Sequence, residues 1–589
     1  MSEEQIERHD YDILVLGSGG AGLRAAIEAA GTGLKVALLG KSLLGKAHTV
    51  MAEGGAAASL GNVDPLDGWE THFYDTMRGG HFINNYKMAE TFAKEAPERI
   101  LELEYWGAVF DRTDEGRILQ RAFGAHTFRR LCHVGDRTGK ELLRTLQQKV
   151  MYLENVDIYQ EITATKLLRD ADGVAGLVAY YRTDGRFALF RARAIVLATG
   201  GWGKVFKVTS NSWESTGDGA AIAFRAGADL MDMEMVQFHP TGMVWPPGVR
   251  GILVTEGVRG EGGLLRNAKG ERFMLTYDPE RKELSSRDVV ARSIWKEVQA
   301  GRGTPHGGAW LDITHRGPAF IKRKLPGMYE QFRALADVDI TKEPFEVGPT
   351  IHYTMGGLRV DAETEATSLP GLFAAGECAS GLHGANRLGG NSLTDLLVFG
   401  RRAGAAAAVF AQGRGDARID EAEVRGEIAR VLAPLGRDKG ENPYAIHESL
   451  QDIMASHAGI ARTGPVLEEG LGKLRALKER AKGMAVIGTR AYNPGWHTYM
   501  DVHNMLDLCE AIILGAIKRT ESRGAHWRTD FPDETDEYLV NYVQSWDDGK
   551  YTMRTEPVPQ MPDDLKGLFQ MGKAPGYARA EAKGGKAGA

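Results

Sequence analysis

Residues 11–16, YDILVL, make a largely apolar run that stops at a cluster of glycines, GSGGAG. LRAAIEAA at residues 23–30 then spaces its apolar positions as a helix does, and LKVALL at residues 34–39 is a second apolar run. Strand, glycine turn, helix and strand in this order predict a βαβ unit. Two later runs end in the same kind of turn: ARAIVLATGG at residues 192–201 and GLFAAGE at residues 371–377. Strands so far apart predict one nucleotide-binding domain interrupted by an insertion, roughly residues 239–349. After Asn391 the pattern turns helical, first in SLTDLLVFGRRAGAAAAVFA and then in amphipathic segments from Asp420 to about Arg519. The last stretch, GKAPGYARAEAKGGKAGA, is rich in Gly, Ala and Lys and predicts disorder. No internal repeat is visible.

A chain of 589 residues predicts two to four domains. Its 74 glycines beside an ordinary 43% hydrophobic content suggest many tight turns and close backbone approaches to a ligand. A formal charge of −6 argues against nucleic acid as the main partner. The three cysteines, Cys132, Cys378 and Cys509, are widely separated with no CxxC. They predict free thiols in a reducing compartment, with no disulfide framework, zinc site or iron–sulfur cluster in this chain. The start, MSEEQIERHD, resembles neither a secretory signal nor a transit peptide. No stretch approaches the roughly 20 apolar residues of a membrane helix. AGAAAAVFA and AIILGAI are too short and fit buried helices, so any work at a membrane needs another chain as anchor.

Gly17, Gly19 and Gly22, with Gly20 between them, give GxGxxG between a strand and a helix. Such glycines permit the tight turn and the approach of backbone to a pyrophosphate, which the helix N-terminus attracts. The second strand ends in Gly40, Lys41 and Ser42, with no acid to hold a ribose. That speaks against a standard NAD site and leaves the adenosine ribose contact open. The turns ATGG (198–201) and AAGE (374–377) suit further contacts along an extended flavin dinucleotide, FAD. Glu377 is then placed either to accept from ribose or ribityl hydroxyls or to sit as a solvated loop carboxylate. A separate stretch, QFHPTGMVWPPGVRGILVTEGVRGEGG at residues 237–263, sets His239, Thr255, Glu256 and Arg259 among glycines and prolines, with no metal-binding spacing. Those side chains suit a small dianion and a nearby proton transfer, chemistry that needs an electron or hydride acceptor.

Taken in order, GSGGAG, KAHTVMAEGGAAASLGN, DRTG, ATGG, STGDG, QFHPTG, LVTEGVRGEGG, RDVVARS, HYTMGG, GANRLGGNSL and RTESRGAHWRTDFP resemble the flavoprotein subunit of succinate dehydrogenase and fumarate reductase. The resemblance runs from about residue 10 to residue 532. It implies an α/β chain with a doubly wound Rossmann-like FAD-binding domain over residues 10–238 and 351–415. An inserted α+β capping domain would span residues 239–350 and a helical domain residues 416–530. Residues 531–589 would be a C-terminal extension with a disordered tail.

The resemblance also carries roles. His48 matches the histidine that bonds covalently to the flavin ring, as a neutral imidazole nitrogen can near pH 7. That link separates the chain from soluble fumarate reductases and aspartate oxidases. Around the dinucleotide, the glycine turn is joined by Lys41, Ser42, Thr49, Gly54 and Gly55. Ala198, Thr199, Gly200, Asp218, Glu377, Arg387, Ser392 and Leu393 complete the matching cofactor set. Arg387, His239, His352 and Thr255 match the dicarboxylate-binding set, which needs charge-assisted donors at both ends. Held so, succinate would lose hydride to the flavin and a proton from the neighbouring carbon. Arg287 matches the proton acceptor, despite an arginine pKa ordinarily above about 12. A relay through Glu256 and Arg259 in a dense cationic pocket eases that conflict. The alternative for Arg287 is a structural ion pair with Asp288 or Glu256.

Glu53 falls where the family has Gln or Glu, Glu being associated with fumarate reductases. Ionised, it would lower the flavin potential; as a neutral acid it would not. Electrons would leave through an iron–sulfur subunit, then through a membrane anchor exchanging with quinone, at the cytoplasmic face of a bacterial membrane. RTESRGAHWRTDFP (519–532) would either dock that partner or cap the flavin domain. Succinate oxidation is the leading expectation and fumarate reduction its nearest rival. An aspartate oxidase or soluble fumarate reductase is disfavoured by His48 and by the lack of CxxCH. A flavin-bearing RNA-binding scaffold would need a basic groove and would not need the residues of the dicarboxylate set.

Overall fold

The computed structural model describes residues 6–547 and 550–582. The four predicted apolar runs and an unpredicted strand, Val156–Tyr159, assemble into one parallel sheet, in the order Leu372–Ala374, Ala194–Leu197, Ile13–Leu16, Val36–Leu39 and Val156–Tyr159. Ile13 pairs with both Val36 and Ala194, and Ile195 pairs with Leu372. The central strands carry no polar residue because both faces of a parallel sheet are covered. Val156–Tyr159 tolerates Asp157 because it is the edge.

One covering layer is the helix Gly20–Ala30 packed on the helix Asn391–Gly413. A Cβ at Gly400 would fall 2.7 Å from the Ala21 carbonyl oxygen, and one at Gly404 2.4 Å from that of Ala25. The Gly/Ala-rich run is therefore a backbone-to-backbone helix contact inside the protein. Among the described residues no helix is long and apolar enough to cross a membrane.

A second sheet was not legible as such in the sequence. The strands Ile162–Asp170, Gly173–Tyr181 and Phe187–Arg191 form an antiparallel meander, to which Ile6–Asp10 adds a parallel edge. The inserted segment leaves and rejoins the flavin side through the antiparallel pair Val236–Met243 and Phe345–Thr354. It has its own core around Val258, Leu265, Ile294, Leu311 and Phe332. Four helices follow: Glu421–Leu432, Pro443–His457, Gly464–Ala481 and Pro494–Lys518.

One expectation about the C-terminal part changes, that of its tail. Within 519–532, Arg519, Glu521 and His526 are fully buried. Arg519 Nε donates to Glu234 at 2.7 Å, and Arg523 Nε donates to Glu521 at 2.7 Å. These ion pairs tie most of the segment into the interior, while its end, residues 529–532, is exposed. The tail predicted as disordered forms a helix, Pro575–Ala582, on the flavin domain. Gly576 N–H donates to Thr71 Oγ1 at 3.0 Å, the Tyr577 ring meets that of Phe128 at 4.9 Å, and Arg579 pairs with Glu70 at 2.6 Å. Composition missed these three anchors. The rest of the predicted tail, residues 583–589, lies outside the described residues.

Candidate active site

At the C-terminal ends of the parallel strands lies a cavity with about 1290 Å³ of space including its open mouth. Gly17, Gly19 and Gly20 line one end and Ala198, Thr199 and Gly200 the wall beside them. Gly17 has a φ of +117°, open in practice only to glycine, and a Cβ there would fall 2.1 Å from the Ala198 carbonyl oxygen. Thr49 accepts the Gly20 N–H at 3.1 Å, one of the free donors at the helix start. His48, Asp218, Glu377, Ser392 and Leu393 also line the wall.

Gly22, Ser42, Gly54 and Gly55 do not reach the wall; they act from behind it. A Cβ on Gly22 would lie 1.8 Å from the Gly17 carbonyl oxygen, and one on Gly54 2.5 Å from the Phe123 ring. Gly55 has a φ of +130° and presses on the Cys132 carbonyl. Lys41 lines the wall, but its ammonium is taken by Thr216 at 2.8 Å, Asp218 at 2.8 Å and Asp501 at 2.7 Å. The acid missing from the second strand has a counterpart elsewhere in the wall. Glu214 keeps a buried Oε1 with no partner, as Thr199 does its Oγ1. Unpaired buried polar atoms in a glycine-cut cavity fit a long, hydroxyl-bearing dinucleotide.

His48 Nδ1 accepts the Ser212 N–H at 3.2 Å, and Asn211 Nδ2 lies 3.2 Å from Nε2. Burial and the nearby Arg387 charge push the imidazole down to about 4, so it is neutral near pH 7. Burial also pushes Glu377 up to about 7, against the Thr354 N–H that its Oε1 accepts at 3.1 Å. Glu377 is a buried group at the cavity, not a solvated loop carboxylate.

Next to this cavity, and sharing His352 and Arg387 with it, lies a polar cluster. His239 and His352 stand on the paired strands Val236–Met243 and Phe345–Thr354, with ring centroids 5.0 Å apart. Thr255 and Glu256 precede the helical turn Gly257–Gly260, and Arg287 opens the helix Arg287–Gln299. Arg287 Nε donates to Glu256 Oε2 at 2.8 Å, and Arg259 Nη2 lies 3.6 Å from the same oxygen. Burial alone would raise Glu256, but Arg259 and Arg287 outweigh it and hold the carboxyl at about 2. Gln237 Oε1 accepts from Arg287 at 3.1 Å and from Arg387 at 3.4 Å. Arg387 also donates to Ser392 at 2.8 Å and lies over the Tyr353 ring. Burial and the like charge of Arg287 bring Arg387 down to about 9. Arg387 Nε and two nitrogens of Arg259 are buried without acceptors, donors left for an anion.

A profile described as FAD binding domain matches residues 12–393, and one described as Fumarate reductase flavoprotein C-term matches residues 447–564. The fumarate reductase flavoprotein subunit of Mycobacterium tuberculosis is 41% identical over 93% of this chain and 97% of its own length. The succinate dehydrogenase flavoprotein subunit of Rickettsia bellii is 38% identical over 96% of this chain and 98% of its own. The chain belongs to the family of succinate dehydrogenase and fumarate reductase flavoprotein subunits. The solved structure of Mycobacterium smegmatis Sdh1 in complex with UQ1 agrees, with 52% identity, a TM-score of 0.87, and 96% of this chain and 98% of that chain covered. As a member of the family the chain is an FAD-dependent oxidoreductase.

Three details go beyond the motifs that placed the chain in this family. His239 and His352 were expected to bring charge-assisted donors, yet burial among arginines holds both far below the usual histidine range. The charge facing an anion therefore comes from arginine alone. Gln237 was missed, although it sits two residues before His239 and so on the same side of a strand. Glu53 has a buried, unpartnered Oε2, and burial with the nearby Asp136 raises its carboxyl well above the usual range. Both influences favour its protonated form.

Proposed function

We propose that this chain is the catalytic subunit of a succinate:quinone oxidoreductase. The observation that carries this reading is the convergence of Arg287, Arg387 and two neutral histidines on one edge of the cofactor cavity. Arg387 binds one substrate carboxylate, and Arg287 sits toward the other end, both oriented by Gln237. Thr255, His239 and His352 add neutral hydrogen bonds. FAD in the cavity supplies a hydride acceptor. Arg287 loses a proton to Glu256 as it takes the one from the neighbouring carbon, and Glu256 passes its proton to Arg259 as Arg259 releases one of its own toward solvent. A Glu256 held near 2 hands a proton on without storing it. Because Thr255, Glu256, Arg259 and Arg287 come from the inserted domain and His352 and Arg387 from the flavin side, closure of that domain completes the site and excludes water.

His48 is the residue for a covalent flavin bond. Its Nδ1 accepts the Ser212 amide and its Nε2 faces the Asn211 side-chain nitrogen, so the bond replaces one of these contacts. Electrons then leave through an iron–sulfur subunit, followed by a membrane anchor, and these partners hold the chain at the cytoplasmic face of a bacterial membrane. The Mycobacterium smegmatis Sdh1 solved with UQ1 supports quinone as the far acceptor. Fumarate reduction is the second reading, favoured by the name of the Mycobacterium tuberculosis relative.

An anaerobic absorbance spectrum of the assembled protein tests the reading. Succinate should bleach the flavin band and fumarate should restore it; an oxidised flavin that ignores succinate would overturn the proposal. The faster half-reaction assigns the direction.

A further inference from the structure

Four ionisable side chains outside the substrate cluster, Tyr353, Asp395, His383 and Glu365, lie buried, the first of them on the cavity wall. Tyr353 lines the cavity, its ring 4.2 Å from the Arg387 guanidinium. Its hydroxyl donates to Asp395 Oδ2 at 3.4 Å, and His383 Nε2 lies 3.4 Å from the same oxygen. Asp395 and Arg402 share the helix Asn391–Gly413, seven positions apart and therefore on one face, roughly 10 Å along the axis. Arg402 Nη2 donates to the carbonyl of Glu363, two residues from Glu365, at 3.0 Å, and Glu365 feels the charges of Asp395, Arg402 and Asp361. Glu365 is fully buried, neither of its carboxyl oxygens has a partner, and neither nitrogen of His383 completes a hydrogen bond. At the far end Arg402 Nη1 donates to Glu95 at 2.6 Å, where both side chains are about a quarter exposed.

Such a row is costly unless bound water joins its members, since each buried polar atom left unpaired loses its hydration. Burial and the Asp395 charge push the Glu365 carboxyl well above the usual range. Burial, against the pull of Asp395, lowers His383. Burial thus favours the uncharged forms of Glu365 and His383.

A hydride taken from substrate is two electrons and one proton. Were a bound flavin to take that hydride and pass on electrons alone, the residues around it would have to carry the proton away. The Arg287 relay handles a different proton, the one from the neighbouring carbon. We infer that Tyr353, Asp395, His383 and Glu365, bridged by bound water, form a second proton path that carries the cofactor's proton to the surface beside Arg402 and Glu95. The path rests on the proposed role of the flavin as hydride acceptor.

Stopped-flow half-reactions on the assembled enzyme separate the two. Flavin bleaching by succinate is followed first, then reoxidation by ferricenium with a pH-indicator dye reporting proton release. Glu365→Gln should bleach normally, yet reoxidise and release its proton about 100-fold more slowly, the lower range for a positioned acid–base group. Glu365→Asp should recover part of the rate. Asp395→Asn gives the same readout at the other end of the row should Glu365→Gln fail to fold. Reoxidation and proton release at the wild-type rate in these variants would overturn the path. A wild-type flavin that succinate never bleaches would instead overturn the function it rests on.

Discussion

At Gly17 the chain meets the cavity with bare backbone, held by a φ of +117° and by the neighbouring strand end at Ala198. At Arg287 it meets the adjoining cluster with a long side chain that Glu256 and Gln237 hold in place. The first region has little room to rearrange, because a single added methyl group collides with a carbonyl. The second is assembled from side chains of the inserted segment, which has its own core, and of the flavin side. Rigid backbone suits a cofactor that stays, and a cluster divided between domains suits a substrate that must come and go.

The largest effect should come from breaking the rigid side. Gly17→Ala adds a clash to backbone strain on the order of 1–3 kcal/mol. It should yield protein with most of its flavin lost and a lower thermal midpoint, read from the flavin-to-protein absorbance ratio and a melting curve. Arg287→Lys should leave flavin content intact while turnover falls by about 10²–10⁴-fold; near-normal turnover would return Arg287 to a structural ion pair. Gln237→Leu removes a shared acceptor from two guanidinium groups, worth about 1.5–3 kcal/mol for a bond to a charged group. It should cut kcat/KM by roughly 10- to 100-fold with full flavin. Glu53→Gln should do least. It exchanges a carboxyl held toward its protonated form for a neutral amide, so the flavin midpoint potential should not move; an upward shift would mean that Glu53 is ionised.

The same division explains what the sequence could reveal. The glycine turn, its flanking strands and the ATGG and AAGE turns are local patterns, each readable within about ten residues. Their assembly into one parallel sheet follows from rules for βαβ units. The ordered motifs also pointed to His239, Thr255, Glu256, Arg287, His352 and Arg387 as one cluster. They did not show that the histidines are neutral, since that depends on burial beside arginines distant in the chain. Gln237 and Glu214 escaped notice because an amide or a carboxylate in a strand or loop carries no signal until its partners are known. The helix Pro575–Ala582 escaped because its anchors lie some 500 residues away, at Glu70, Thr71 and Phe128.

Distance along the chain also becomes time during synthesis. Leu230–Met231, just ahead of the strand that bears His239, pairs with Val540–Asp547. A ribosome adding about 5–20 residues per second needs roughly 15–60 s to cover the intervening stretch. Throughout that interval the nascent flavin domain carries an open strand edge beside its substrate arm. Whatever shields that edge, or loads the cofactor before the last strand arrives, has most of a minute in which to act.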